Sequence, residues 1–121
     1  MRRMIAISPE SITPMNESEF NHLADAALER VSRALEESGV DCDWELKAGG
    51  VLELEFADGT RMVVNRHAAA QQIWVAARSG GYHFRREGSR WVDTRDGTEL
   101  FASLSRRVSE QSGTPVILRG E

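Results

Sequence analysis

Between residues 42 and 93 the hydrophobic pattern keeps a period of two, and this rules out an all-helical fold. Cys42, Trp44 and Leu46 alternate with Asp41, Asp43 and Glu45, and Leu52, Leu54 and Phe56 alternate with Glu53 and Glu55. Successive side chains of a strand point to opposite faces, so each run presents one apolar and one charged face. Gly49-Gly50 and Asp58-Gly59 interrupt the runs where hairpin turns belong. Arg61 to Asn65 predicts a third strand. Gln71 to Ala77 predicts a fourth, because Ser79-Gly80-Gly81 follows closely. Tyr82 to Arg86 and Arg90 to Asp93 give a fifth and a short sixth, turned at Glu87-Gly88.

Helical patterns flank this meander. From Asn16 to Ser38, the residues Phe20, Leu23, Ala24, Ala27, Leu28, Val31 and Leu35 recur at the spacing of one apolar stripe. Asn16 with Glu19 has the form of a capping box, and Gly39 stands where a left-handed stop is wanted. Thr98 opens a second helix carrying Leu100, Phe101, Leu104 and Val108, closed by Gly113 and Pro115. Val116 to Leu118 is an apolar tail that packs back on the core. The order predicts an α+β two-layer sandwich, with both helices on one face of an antiparallel sheet of about six strands.

A chain of 121 residues suits one domain, placed here over residues 15–121. Residues 1–14 read as a disordered extension. They carry two arginines and a short apolar run, Met4 to Ile7, but lack the apolar length of a secretory signal. No run approaches the ~18 apolar residues of a membrane helix. One cysteine permits no internal disulfide, and a reducing cytoplasm fits best.

The net charge of −4 conceals a division along the chain. Residues 15–58 hold 12 acidic and 3 basic side chains, whereas residues 59–121 hold 6 and 10. Such a split predicts an oriented electrostatic surface, and it lacks the overall basic excess of a duplex nucleic-acid binder. The stretch EESGVDCDWE, Glu36 to Glu45, gathers five carboxylates without one base. On the first helix Asp25, Glu29 and Glu36 share a stripe; on the first strand Asp41, Asp43 and Glu45 share a face. A solvated face is the ordinary reading of such residues, and a functional acidic surface is the other.

Other candidates carry less. Cys42 shares the apolar parity of Trp44 and Leu46 and is expected to be buried and chemically quiet. His22, His67 and His83 are scattered over a helix, a loop and a strand, with no metal-ligand spacing. No nucleophile motif, phosphate loop or dinucleotide fingerprint is present, so enzymatic machinery is not visible. Trp74 is the other oddity. If Ile73 and Val75 face the helices, then Gln72, Trp74 and Ala76 face outward, and an outward Trp is a candidate partner contact.

The stretch NRHAAAQQIWVAARSGGYHF, Asn65 to Phe84, followed by Trp91, Asp93, Arg95 and Gly97, resembles the frataxin family. The start MNESEFNHLAD, from Met15, is similar to its bacterial branch. The resemblance covers roughly residues 15–118 and implies the sandwich already reached from periodicity. It further implies an iron-binding protein of iron–sulfur cluster assembly, not an enzyme, that holds ferrous or ferric iron weakly on surface carboxylates. The matching acids are Glu17, Glu19, Asp25, Glu36, Glu37, Asp41, Asp43, Glu45 and Asp58. Implied partners are the cysteine desulfurase and the assembly machinery, bound by a monomer that can oligomerise with iron. Asn65, Gln72 and Trp74 match the family's exposed sheet-face residues. Ser32 and Arg33 depart from it where acids are usual, and His67 and Ala69 depart where glutamine and proline are usual.

Two further classes stand beside this one. A sheet-face nucleic-acid or protein interaction module would use Trp74 and His83 for stacking, with Arg61 and Arg85 nearby. A small enzyme would need a pocket joining Cys42 or a histidine to a base.

Overall fold

The computed structural model describes residues 15–120; the disordered extension expected over residues 1–14 lies outside them. Helix α1 (Glu17–Ser38) starts where the sequence asks it to. The Asn16 side chain accepts from the Glu19 amide at 2.8 Å, and the Glu19 carboxylate accepts from the Asn16 amide at 3.1 Å. Two amide donors at the helix start are thereby satisfied reciprocally. Gly39 ends the helix in the left-handed region, φ 71°.

Six strands follow in sequence order: β1 (Cys42–Lys47), β2 (Val51–Phe56), β3 (Arg61–His67), β4 (Gln72–Ala77), β5 (Gly80–Glu87) and β6 (Arg90–Asp93). Each pairs antiparallel with the next, an open meander with β1 and β6 at its edges. Helix α2 (Leu100–Ser112) closes the order. Parity then builds the core. Leu52, Leu54, Phe56, Met62, Val64, Ile73, Val75 and Phe84 turn one sheet face toward the helices. Phe20, Leu28 and Leu35 of α1 and Leu100, Leu104 and Val108 of α2 fill the layer above. Each such side chain contributes about 1.5–3 kcal/mol on leaving water.

The apolar tail does pack back. Val116 and Leu118 are buried, and their amides donate to Ser109 Oγ and Ser105 Oγ, each at 2.8 Å. Ile117 between them points outward.

Four expectations need correction. Helix α2 begins at Leu100, not Thr98. The Thr98 carbonyl accepts from the Asp93 amide, and Glu99 is the cap, accepting from the Phe101 and Ala102 amides. Strand β3 runs on to His67, because Arg66 and His67 pair with Ile73 and Gln72; His67 is therefore in a strand, not a loop. Strand β4 starts one residue late because Gln71, φ 54°, belongs to the turn. Lastly, β1 is an edge strand that α1 covers incompletely. Cys42 and Trp44 are half-buried and Leu46 is exposed, so Cys42 is not fully buried as its parity suggested.

Candidate functional site

The nine expected carboxylates divide into groups with different physical circumstances. Glu17 and Glu19 occupy the first turn of α1, where the helix dipole favours negative charge. Glu19 is also committed to the capping box. Asp25 sits 2.8 Å from Arg66 Nε, an ion pair joining α1 to β3. Gly50 makes that pair possible. It is buried at φ 76°, and a Cβ there would lie 2.2 Å from Arg66 Nε. Asp58 closes the β2–β3 turn by accepting from the Thr60 amide and hydroxyl, and it pairs with Arg78 at 3.2 Å. The Thr60 hydrogen bonds, with smaller help from Arg78, hold its carboxyl below the ordinary 3.8. Asp25 and Asp58 are thus structural acids.

Glu36, Glu37, Asp41, Asp43 and Glu45 differ. Among the described residues none has a cation within ion-pair distance. Glu36 and Glu37 lie in the last turn of α1, where the dipole disfavours negative charge and no basic residue answers it. Trp44 Nε1–H donates to Ser32 Oγ at 3.1 Å, which fixes β1 with Trp44 toward α1 and Asp43 and Glu45 away from it. The acids of EESGVDCDWE therefore wrap the β1 edge, some on the helix layer and some on the open sheet face.

On that open face the register adds two acids that the residue pattern alone did not assign to the site. Asp43 stands opposite Glu55, and Glu45 opposite Glu53. Directly opposed like charges destabilise a sheet. Lys47 answers Glu53 at 2.9 Å, and Arg61 approaches Glu55 at 3.9 Å. The signal was present in the Gly49-Gly50 turn, because closing the hairpin there brings the two acidic faces together.

Nearby, Cys42 feels the same charge. Partial burial, then Asp43 and Asp41, push its thiol from 9.0 up to about 11. It is a thiol at neutral pH, unsuited to nucleophilic or soft-metal chemistry.

As for metal capacity, no three His, Cys, Asp or Glu side chains among the described residues converge on one ion position. The acids form an oxygen-donor surface rather than a cage. Hard cations accept such oxygens, with vacant positions left to water.

The middle of the open face is built differently. Trp74 lies between two imidazoles, stacked on His67 at 3.9 Å and on His83 at 4.5 Å. Its Nε1–H donates to Gln72 Oε1 at 2.8 Å. Asn65 is its cross-strand neighbour on the other side from His83. Asn65, Gln72 and Trp74 do share one face, as parity predicted for Gln72 and Trp74 and the resemblance implied for Asn65, but Trp74 is half-buried in a stack rather than free. His67 and His83 belong to this surface. Arg61 and Arg85, the cations a nucleic-acid reading needs, already face Glu55 and Glu87.

Comparison with known proteins decides the family. A family model described as a frataxin-like domain matches residues 13–114. The chain belongs to the frataxin-like family. Bacterial relatives named iron-sulfur cluster assembly protein CyaY are similar along nearly their whole length. That of Dechloromonas aromatica is 54% identical, covering 87% of this chain and 100% of the relative. That of Cupriavidus necator is 49% identical, covering 87% and 97%. The frataxin of Psychromonas ingrahamii superposes with a TM-score of 0.78 at 36% identity, over 85% of this chain and 97% of that one. A trimeric yeast frataxin complexed with ferrous iron matches with a TM-score of 0.59 at 28% identity, over 84% and 90%. This frataxin-like chain thus has two helices on a six-stranded open antiparallel sheet, and its bacterial relatives are named for iron–sulfur cluster assembly.

Proposed function

We propose that this protein binds iron weakly through the carboxylates of the β1 edge and regulates iron–sulfur cluster assembly by contacting the cysteine desulfurase. The observation that carries the reading is the group Glu36, Glu37, Asp41, Asp43 and Glu45, crowded at one edge without a cation partner among the described residues. Like charges held together raise the free energy of the fold and create a potential that draws cations. Iron is cargo here, met by one or two carboxylates at a time, so binding is loose and falls with salt. Glu17 and Glu19 extend the surface along α1, while Asp25 and Asp58 serve the fold first. The acting compartment is the reducing cytoplasm. Among the described residues no helix is long and apolar enough to cross a membrane. The yeast trimer complexed with ferrous iron supports iron-dependent assembly of a protein otherwise monomeric.

The desulfurase contact combines two terms. The acidic edge supplies long-range attraction to a basic patch, which sets association rate and salt dependence. Asn65, Gln72 and Trp74 supply a short-range contact, already ordered by the histidine stack and therefore cheap to immobilise. Kinetics on immobilised desulfurase at two salt concentrations separate them. Replacing Asp41, Asp43 and Glu45 by Asn and Gln lowers the on-rate and flattens its salt dependence. Trp74→Ala raises the off-rate by the equivalent of about 1–2 kcal/mol. Unchanged kinetics in both folded variants refute the contact.

A further inference from the structure

A second charged region lies at the far edge of the sheet from the acids. Arg30 of α1 and Arg90 and Trp91 of β6 are among the residues that line an open cleft of about 550 Å³ beside the β5–β6 turn. Arg86 of β5 lies over the Trp91 ring, its Cζ 5.5 Å from the centroid. Arg30, Arg86 and Arg90 come from three elements, and among the described residues none pairs with a carboxylate. Guanidinium groups stay charged at any physiological pH, so the cluster cannot relieve itself by losing a proton. Partial burial and the charge of Arg30 lower the pKa of Arg86, the direction expected for a cation lacking a counter-charge.

Two other cleft residues, Trp91 and Ser89, carry polar hydrogens beside Phe101 and Gly120. Trp91 is 2% exposed, and its Nε1–H finds no acceptor among the described residues. Ser89 contributes a hydroxyl at the rim. Glu99 is the one acid lining the cleft, and its two oxygens are already used by the Phe101 and Ala102 amides. The guanidinium charges of Arg30 and Arg90 at the cleft favour an acceptor with more than one negative charge. Its volume falls in the range of small-molecule sites, about 300–1,000 Å³.

We propose that the cleft between α1 and the β5–β6 hairpin binds a small oxyanion of two or more negative charges, a phosphate ester or a polycarboxylate, clamped by Arg30 and Arg90. Arg86, whose Nε–H donates to the Gly88 carbonyl at 2.9 Å, adds positive charge beside them. Guanidinium forks match either oxygen pair bidentately, so the two classes share one recognition chemistry. The site faces away from the acidic β1 edge and is independent of any iron bound there.

Titration of the full chain by ¹⁵N-resolved NMR at constant ionic strength tests this, with pyrophosphate, citrate and acetate as probes. The expected result is saturable movement of the Trp91 indole N–H and the Ser89 and Arg90 amides with pyrophosphate, citrate or both. Which of them saturates decides between phosphate and carboxylate. Acetate should bind at least tenfold more weakly. Arg30→Gln and Arg90→Gln should each weaken binding about tenfold, equal to 1.4 kcal/mol. Arg30→Lys should lose less, and Arg106→Gln, on the exposed face of α2, should lose nothing. Both arginines lie outside the core, and the rest of each variant's spectrum reports that it is folded. Linear, non-saturating shifts for both polyanions would overturn the proposal. So would saturable shifts that survive both glutamine substitutions.

Discussion

The two ends of α1 carry acids of opposite physical meaning. Glu17 and Glu19 at its start are where a helix wants negative charge, and Glu19 completes a reciprocal cap. Glu36 and Glu37 at its finish oppose the dipole, lack cations among the described residues, and run on into Asp41, Asp43 and Glu45. Folding accounts for the first pair. It does not account for the second group, which is where the proposed iron contact lies. The same contrast holds between Asp25, anchored by Arg66, and Asp43, opposed by Glu55.

Cys42 is a probe built into the unanswered end, and it reports the largest effect. With its thiol at about 11 rather than 9.0, native protein at pH 8 holds about a hundredfold less thiolate than an unburied cysteine. Alkylation rates measured against pH should rise late, toward 11. Asp43→Asn should bring the midpoint down yet leave it above 9.0, since burial is the larger cause. The raised value also sets a sign for stability. The folded state keeps a proton that the unfolded chain gives up, so this contribution is intact below pH 9 and lost as pH rises through about 11.

The structural acids should break differently. Gly50→Ala forces a side chain into the left-handed region and into Arg66, displacing it from Asp25. We expect a loss of about 2 kcal/mol in urea unfolding, mostly backbone strain, since a half-exposed ion pair is worth under about 1 kcal/mol. Asn16→Ala removes the side chain that caps α1 and should cost about 1 kcal/mol by the same measurement. Glu36→Gln should do the reverse, gaining about 0.3–1 kcal/mol at low ionic strength and losing that gain as salt is added. A Glu36→Gln loss matching that of Asn16→Ala would erase the distinction between the two ends.

Local pattern along the chain accounts for much of this architecture. Periodicity and turn glycines located α1, its capping box, all six strands, and the parity that buries Ile73 and Val75 while turning Trp74 outward. These features depend on residues a few positions apart. The partners of the acids do not. Arg66 reaches Asp25 across 41 positions and Arg78 reaches Asp58 across 20. Glu53 and Glu55 join the acidic face only through the β1–β2 register, and His67 reaches Trp74 only because β3 outruns its apolar pattern. The exposure of Leu46 depends on how far α1 reaches over an edge strand, which no local pattern encodes.

If the β1-edge acids are held against the stability of the fold to meet a cation, removing them should stabilise the protein and abolish its response to iron. Thermal melting of the wild type and of the triple variant Glu36→Gln, Asp41→Asn, Asp43→Asn, at low ionic strength with and without ferrous iron under anaerobic conditions, tests it most directly. The variant should melt higher than the wild type without iron, and iron should raise the melting temperature of the wild type alone. A variant that melts lower, with an iron response equal to that of the wild type, would contradict it.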